Sequence, residues 1–224
     1  MPAHIKFDVA SDLIVIHKVI TRALDVAVDE NASALEKRTA RRAEYEGYIQ
    51  YAECLLRQLH EHHSNEDTVV FPLLRRLLPD APYDLLMSQH GEMIHVVEQV
   101  ERAIKALKSG THDAGLQAQL LGNLQDLRAR WIEHIAVEEA HFGPDGISAA
   151  VSMADRVRIG KAASRYAQRH SNPIPLMLPF MLYNLAEQDR ATLAQTMPGF
   201  LPRFFVPVLW RKRWAPMRPY LLVA

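Results

Sequence analysis

Residues 60–74 read HEHHSNEDTVVFPLL, and residues 131–144 read WIEHIAVEEAHFGP. Each stretch holds a histidine followed four residues later by a glutamate: His62 with Glu66, and His134 with Glu138. On an α-helix that spacing stacks the two side chains one turn apart on a single face. The faces extend as apolar stripes. One comprises Leu55, Leu59, His62, Glu66, Val69 and Leu73; the other Leu120, Leu124, Leu127, Trp131, His134, Glu138 and His141. An exposed i, i+4 pair is worth only tenths of a kcal/mol and has no reason to sit in such a stripe. Both stretches are therefore read as amphipathic helices that turn ionisable groups towards a core.

Two more stripes have the same character. Leu13, His17, Ile20 and Leu24 share a face, as do Leu86, His90, Val97 and either Met93 or Ile94. Breakers separate four helical segments. The first runs from Asp8 or Ser11 to about Leu35. The second runs from about Thr39 to Phe71, with Pro72 expected to kink or restart it and Pro79 to end it. The third runs from about Pro82 to Ser109-Gly110, and the fourth from about Asp113 to Gly143-Pro144. Alternating β-branched runs are few and no Asn-Gly hairpin signal appears. The reading is an all-α protein whose residues 1–144 form an up-down-up-down four-helix bundle.

A buried carboxylate is costly unless it is paired or bound to metal. Four histidines and two glutamates, delivered by four helices to one level of a bundle, are most economically satisfied by divalent metal. His17, His62, Glu66, His90, His134 and Glu138 are the candidate ligands. All offer nitrogen or oxygen and none offers thiolate, which suits iron or manganese in octahedral geometry. Zinc prefers four tetrahedral ligands and fits six less well. No residue outside the metal centre is assigned a catalytic role.

The stretches 60–74 and 131–144 resemble the two His-x-x-x-Glu helices of the hemerythrin-like (HHE cation-binding) family. His17 in LIVIHKVI and His90 in MSQHGEMIHVV resemble its single-histidine positions on the first and third helices. The resemblance covers about residues 10 to 145, and four pieces in order at helix-length separations make it specific. It implies a four-helix bundle with two iron ions joined by carboxylates and an oxo or hydroxo bridge, manganese or zinc being the less favoured metals. It also implies a small ligand, either oxygen, hydrogen peroxide or nitric oxide, that is bound or reacted with. The alternative is an iron- or oxygen-responsive sensor without turnover. Peroxidase or oxygenase chemistry is left open.

One position departs from the family. Oxygen-carrying members have a second histidine four residues after that of the third helix, and here Ile94 stands there. Two octahedral metals offer about twelve positions, of which four histidines, two bridging glutamates and one bridging oxygen fill about ten. About two stay open, against about one with a fifth histidine, and the more open centre tilts towards activating a ligand. A further protein ligand would close it. His63, Glu61 and His95 are the nearest candidates, and His141, one turn beyond Glu138, is a candidate for orienting it. Asp67 and Glu139 are expected to be solvated.

After Pro144 the composition changes. A helix is expected from about Ile147 to His170. Eight prolines follow from Pro173 to Pro219, interleaved with apolar stretches such as PLMLPFMLYNL and FLPRFFVPVLW. Residues 145–224 are too apolar for a disordered linker and are read as a Pro-rich helical extension packed on the bundle. Tails of this kind follow some bacterial members of the resembled family. The basic and aromatic stretch 200–214 is also a candidate contact for a peripheral partner or a membrane surface.

Lys plus Arg equals Asp plus Glu, at 26 each, so no global basic footprint argues for nucleic acid. The single cysteine, Cys54, excludes an internal disulfide and a Cys-rich metal site. MPAHIKFDVASD has no basic region followed by an apolar run. No stretch of about twenty apolar residues predicts a transmembrane helix. The expected location is the cytoplasm. No nucleotide-binding motif appears, so any reductant would be a separate protein.

Overall fold

The computed structural model describes residues 7–37, 42–111 and 113–222, with the side chains of 36–45 outside the description. The expected helix start at Thr39 lies outside these residues. Among the described residues there is no strand. The helices α1 (Val9–Lys37), α2 (Arg42–Asn65), α4 (Tyr83–Lys108) and α5 (Ala114–Phe142) form the bundle, with a short α3 (Phe71–Leu74) between α2 and α4. Their ends follow local chemistry. Asp113 caps α5 by accepting from the Leu116 amide at 2.8 Å, and Gly110, at φ 96°, lets the chain leave α4.

The expected break at Pro72 takes a specific form. α2 passes into a π-helical stretch, Glu66–Val70, and α3 restarts with Pro72 in its first turn. A wider turn holds more residues, so the buried stripe after Glu66 passes through Val70 and Leu74 instead of the expected Val69 and Leu73. On α4, Met93 is buried rather than Ile94.

α1 packs on α2 and α5, and α4 packs on the same two helices. Cross-contacts run in opposite directions along each pair: Arg128 meets Asp25 while Glu138 meets His17, and Arg130 meets Glu92 while His134 meets His90. The arrangement is the up-down-up-down bundle. Its core is divided. One apolar cluster holds Leu24, Leu55, Leu59, Met93, Leu127 and Trp131. A second holds Phe71, Leu74, Tyr83, Leu86 and Phe142. The histidine and glutamate layer lies between them in sequence on α2 with its π stretch, on α4 and on α5.

Past the bundle come α6 (Pro144–Ile147), α7 (Met153–His170), α8 (Ile174–Tyr183), α9 (Glu187–Gln195), a π-helical stretch Leu201–Leu209, α10 (Arg211–Trp214) and a 3-10 turn, Ala215–Tyr220. The single helix expected from Ile147 is divided because Ser152 caps α7, accepting from the Asp155 amide at 3.2 Å. α7 lies on the start of α1 and on the π stretch after α2. A Cβ at Gly160 would fall 1.9 Å from the Phe7 carbonyl oxygen, so only glycine allows this approach. α8, α10 and the 3-10 turn instead join the first cluster through Met177, Phe180, Trp214, Met217 and Tyr220. Pro216 sits directly on Gly47 of α2. Gly47 lies fifteen residues before His62, about 22 Å along the helix, so the 3-10 turn packs away from the histidine layer.

A buried ion pair fastens α7. Arg156 Nε donates to Asp8 Oδ1 at 2.8 Å, its Nη2 bonds Asp8 Oδ2, and its Nη1 donates to Ser148 Oγ at 2.9 Å. Removing one partner strands the other charge away from water. Arg156→Ala is expected to cost about 3–5 kcal/mol, measured by urea denaturation; a change below 1 kcal/mol would mean the pair is effectively solvated.

Candidate metal centre

Seven buried side chains converge in the polar layer: His17 from α1, His62 and His63 from α2, Glu66 from the π stretch, His90 from α4, and His134 and Glu138 from α5. Their donor atoms form two groups, each within 4.8 Å: His17, His62, Glu66 and Glu138 in one, and His63, His90 and His134 in the other. The glutamates connect the groups. Glu66 Oε1 lies 3.2 Å from His62 Nδ1, and its Oε2 lies 3.6 Å from His90 Nε2. Glu138 Oε2 lies 3.2 Å from His17 Nε2 and 3.3 Å from His134 Nε2.

Proximity here is not hydrogen bonding. His17 Nε2, His62 Nε2, His63 Nε2, Glu66 Oε2 and Glu138 Oε2 are buried without a hydrogen-bond partner. Each such orphan costs on the order of 1–3 kcal/mol. His90 Nε2 and His134 Nε2 approach to 3.2 Å, which opposes two lone pairs unless a proton or cation lies between them. Five orphaned donors around one volume, all nitrogen or oxygen, fit divalent cations.

Electrostatics prepares the same donors. Burial, reinforced by neighbouring histidine charge, pushes His62 and His63 well below the usual imidazole range. Burial also lowers His134, although Glu138 opposes it. These rings are neutral, the form that binds metal. Burial, with Glu138 nearby, pushes Glu66 well above the carboxylate range. Glu138 moves the other way: burial opposes its ionisation, but His134 and His17 outweigh it. Burial would depress His17, and the carboxylates of Glu138 and Glu139 outweigh that and raise it. The layer thus pushes its two carboxylates in opposite directions.

Three histidines are oriented from outside. His17 Nδ1 bonds Glu139 Oε1 at 2.8 Å, His90 Nδ1 bonds Asp67 Oδ1 at 2.8 Å, and His134 Nδ1 bonds Gln89 Oε1 at 3.1 Å. An Nδ1–H held by an acceptor leaves the Nε2 lone pair for the interior. Asp67 and Glu139, expected to be solvated, are thus partly buried partners. Each directly follows a buried glutamate of the layer and reaches the buried histidine of the adjacent helix. Trp131 closes one side, with its ring centroid 5.2 Å from His17 and 6.0 Å from His63 and His134, and its Nε1 donates to Thr21 Oγ1 at 2.9 Å. Phe71 stacks on His90 at 5.7 Å.

The structure brings together the six residues singled out from the stripes and adds His63, whose ring stacks on His90 at 4.0 Å. The other candidates lie elsewhere. His95 is exposed. His141 is exposed and bonds the Val137 carbonyl, because the stripe continues by fours through Phe142. Glu61 is half-buried and faces Ser171 of the extension; burial raises its pKa and the Ser171 contact opposes this. Tyr48 and Tyr51 bond Asn31 and Asn184, away from the layer, and Cys54 is a buried thiol pushed up to about 12 by burial. The sequence signal for His63 was the His-His pair ahead of a glutamate and a proline. A regular helix turns adjacent residues about 100° apart, so the stripe through His62 does not by itself bring His63 inward.

Residues 8–145 match the family model of the hemerythrin HHE cation-binding domain. No curated protein and no solved structure matches the chain.

Proposed function

The chain belongs to the hemerythrin HHE cation-binding family, and from that premise we propose a non-haem di-iron protein. It binds or reacts with a small ligand, oxygen, hydrogen peroxide or nitric oxide, at a carboxylate-bridged centre. The observation that carries this reading is that each glutamate touches one histidine of each donor group. Glu66 and Glu138 are the proposed bridges. His17 and His62 serve one ion, and His63, His90 and His134 the other. Held by these residues, a pair of ferrous ions would supply electrons to the ligand.

His63 changes the coordination count. With five histidines and two carboxylates holding two octahedral ions beside one shared oxygen, about one of roughly twelve positions would remain for a ligand. The fifth nitrogen that carriers draw from the third helix comes here from the second. This would favour one small ligand at a time over two reacting together. Trp131, Phe71 and Phe142 keep bulk water from the layer and strengthen its electrostatics. The test is the visible spectrum of the protein loaded anaerobically with ferrous iron, before and after each of the three ligands. New near-ultraviolet bands with at least one are expected; indifference to all three overturns the reading.

Asp67 and Glu139 are proposed to orient His90 and His17. Asp67→Ala or Glu139→Ala is expected to weaken iron binding about 10- to 100-fold with the helical content unchanged, measured by chelator competition. Unchanged affinity would make both contacts incidental.

A second reading, an iron-responsive interaction protein without turnover, draws on the packing of α7 against the π stretch that carries Glu66, with Asn65 Nδ2 donating to the Ala163 carbonyl at 3.2 Å. Metal-dependent protease cleavage after residue 145 would favour it, and identical digestion patterns would count against it. We take residues 1–144 as the bundle domain and 145–224 as its extension. Among the described residues no helix is long and apolar enough to cross a membrane, and the lone buried thiol fits the cytoplasm.

A further inference from the structure

From Arg190 to the last residue the chain has six basic residues and no acidic one. The whole chain is formally neutral, so charge is segregated and the opposite excess lies on the preceding residues. The structure gives this basic segment an apolar edge. The π stretch Leu201–Leu209 buries Val206 and α10 buries Trp214, whose Nε1 donates to the Val206 carbonyl at 2.8 Å. The segment is therefore anchored. Yet Phe200, Phe204, Val208 and Leu209 are 56%, 52%, 60% and 57% exposed. Phe205 supports the edge from below, packed against Phe200, Phe204 and Trp210 at 5.5, 5.9 and 5.3 Å. Arg203, Arg211, Lys212 and Arg213 are exposed beside it.

Scattered exposed apolar residues need no explanation, but a contiguous ridge rimmed by one sign of charge marks an interaction site. A second copy is a poor occupant, because it would bring two basic patches together with no acid to separate them. A specific protein interface takes about 20–30 residues a side, and this ridge has four. A bilayer surface asks for what is present: apolar and aromatic side chains that enter the headgroup boundary, and arginine and lysine beside them at the level of the lipid phosphates. We propose that residues 200–213 dock the protein peripherally on an anionic phospholipid surface. Phe200, Phe204, Val208 and Leu209 enter the interface, and Arg203, Arg211, Lys212 and Arg213 meet the phosphates. The prolines that prevent a long amphipathic helix matter little, since the ridge is held by the folded extension and does not depend on the membrane to form.

The test is co-sedimentation of the full chain with vesicles of phosphatidylcholine alone and of phosphatidylcholine with phosphatidylglycerol. The same experiment is run on Phe204→Ser/Leu209→Ser and on Arg211→Gln/Lys212→Gln/Arg213→Gln. Circular dichroism and light-scattering mass establish that each variant is folded, and Trp210 emission reports insertion. Binding to the anionic vesicles is expected, weakened by salt, with a blue shift on binding. The triple charge variant should bind about a hundredfold more weakly, and the apolar pair at least about tenfold more weakly. The proposal is overturned by absence of binding, by equal binding to both vesicle types, or by variants that bind like the parent. It is also overturned by a dimer that the apolar substitutions convert to monomer, since a second copy would then be the occupant.

Discussion

Glu138→Ala is expected to reduce bound iron from two ions per chain to at most one and to abolish the optical response to every small ligand. Its single Oε2 lies 3.2 Å from His17 Nε2 and 3.3 Å from His134 Nε2, whereas Glu66 uses its two oxygens separately towards His62 and His90. Its removal takes a charge from both ions at once and leaves His17 and His134 facing a void. Loss of an outer partner of a ligand already costs about 10- to 100-fold in affinity, and loss of a bridge should exceed that for both ions. Iron analysis after gel filtration reads the result. Two irons retained would mean that Glu138 is a buried partner of the two histidines and nothing more. Glu139→Ala is the internal control: it lies next in sequence and touches His17 from outside, and should weaken binding without halving the stoichiometry.

The second large effect is expected at His63. As a ligand, its replacement by leucine, of similar size, opens a position on the ion shared with His90 and His134. One of the two ions should then bind about 10- to 100-fold more weakly, while the other is little changed. Ligand-induced spectra should change form, because the second ion gains an exchangeable site. As a mere core histidine, its replacement by leucine would remove an orphaned buried nitrogen and stabilise the fold with iron binding untouched. Titration of the metal-free variant with ferrous iron separates the two outcomes.

Much of this site was legible because six of its histidines and glutamates interrupt otherwise apolar stripes. His17, His62, Glu66, His90, His134 and Glu138 all lie where helical periodicity requires burial, and such breaks have few causes. Helix ends at Asp113 and Gly110 were legible from capping and left-handed turn chemistry. What periodicity does not encode is the local departure from it. The π stretch at Glu66–Val70 shifts the buried register from Val69 to Val70, and His63 joins His62 inside the layer. Asp67 and Glu139 were hidden for a different reason. They flank the ligand face on their own helices, and their partners, His90 and His17, lie on neighbouring ones. In the extension, composition spoke for packing on the bundle. The choice of Gly47 as the landing point for Pro216 is a matter of backbone approach that no pattern in the tail announces.

A pair of irons bridged by Glu66 and Glu138 is tested most sharply by the iron-to-chain ratio taken with the low-temperature magnetic behaviour of the oxidised protein. About two irons per chain are expected, coupled through their bridges and therefore without the signal of isolated ferric ions. One iron or fewer, or two that behave as independent ions, would contradict it.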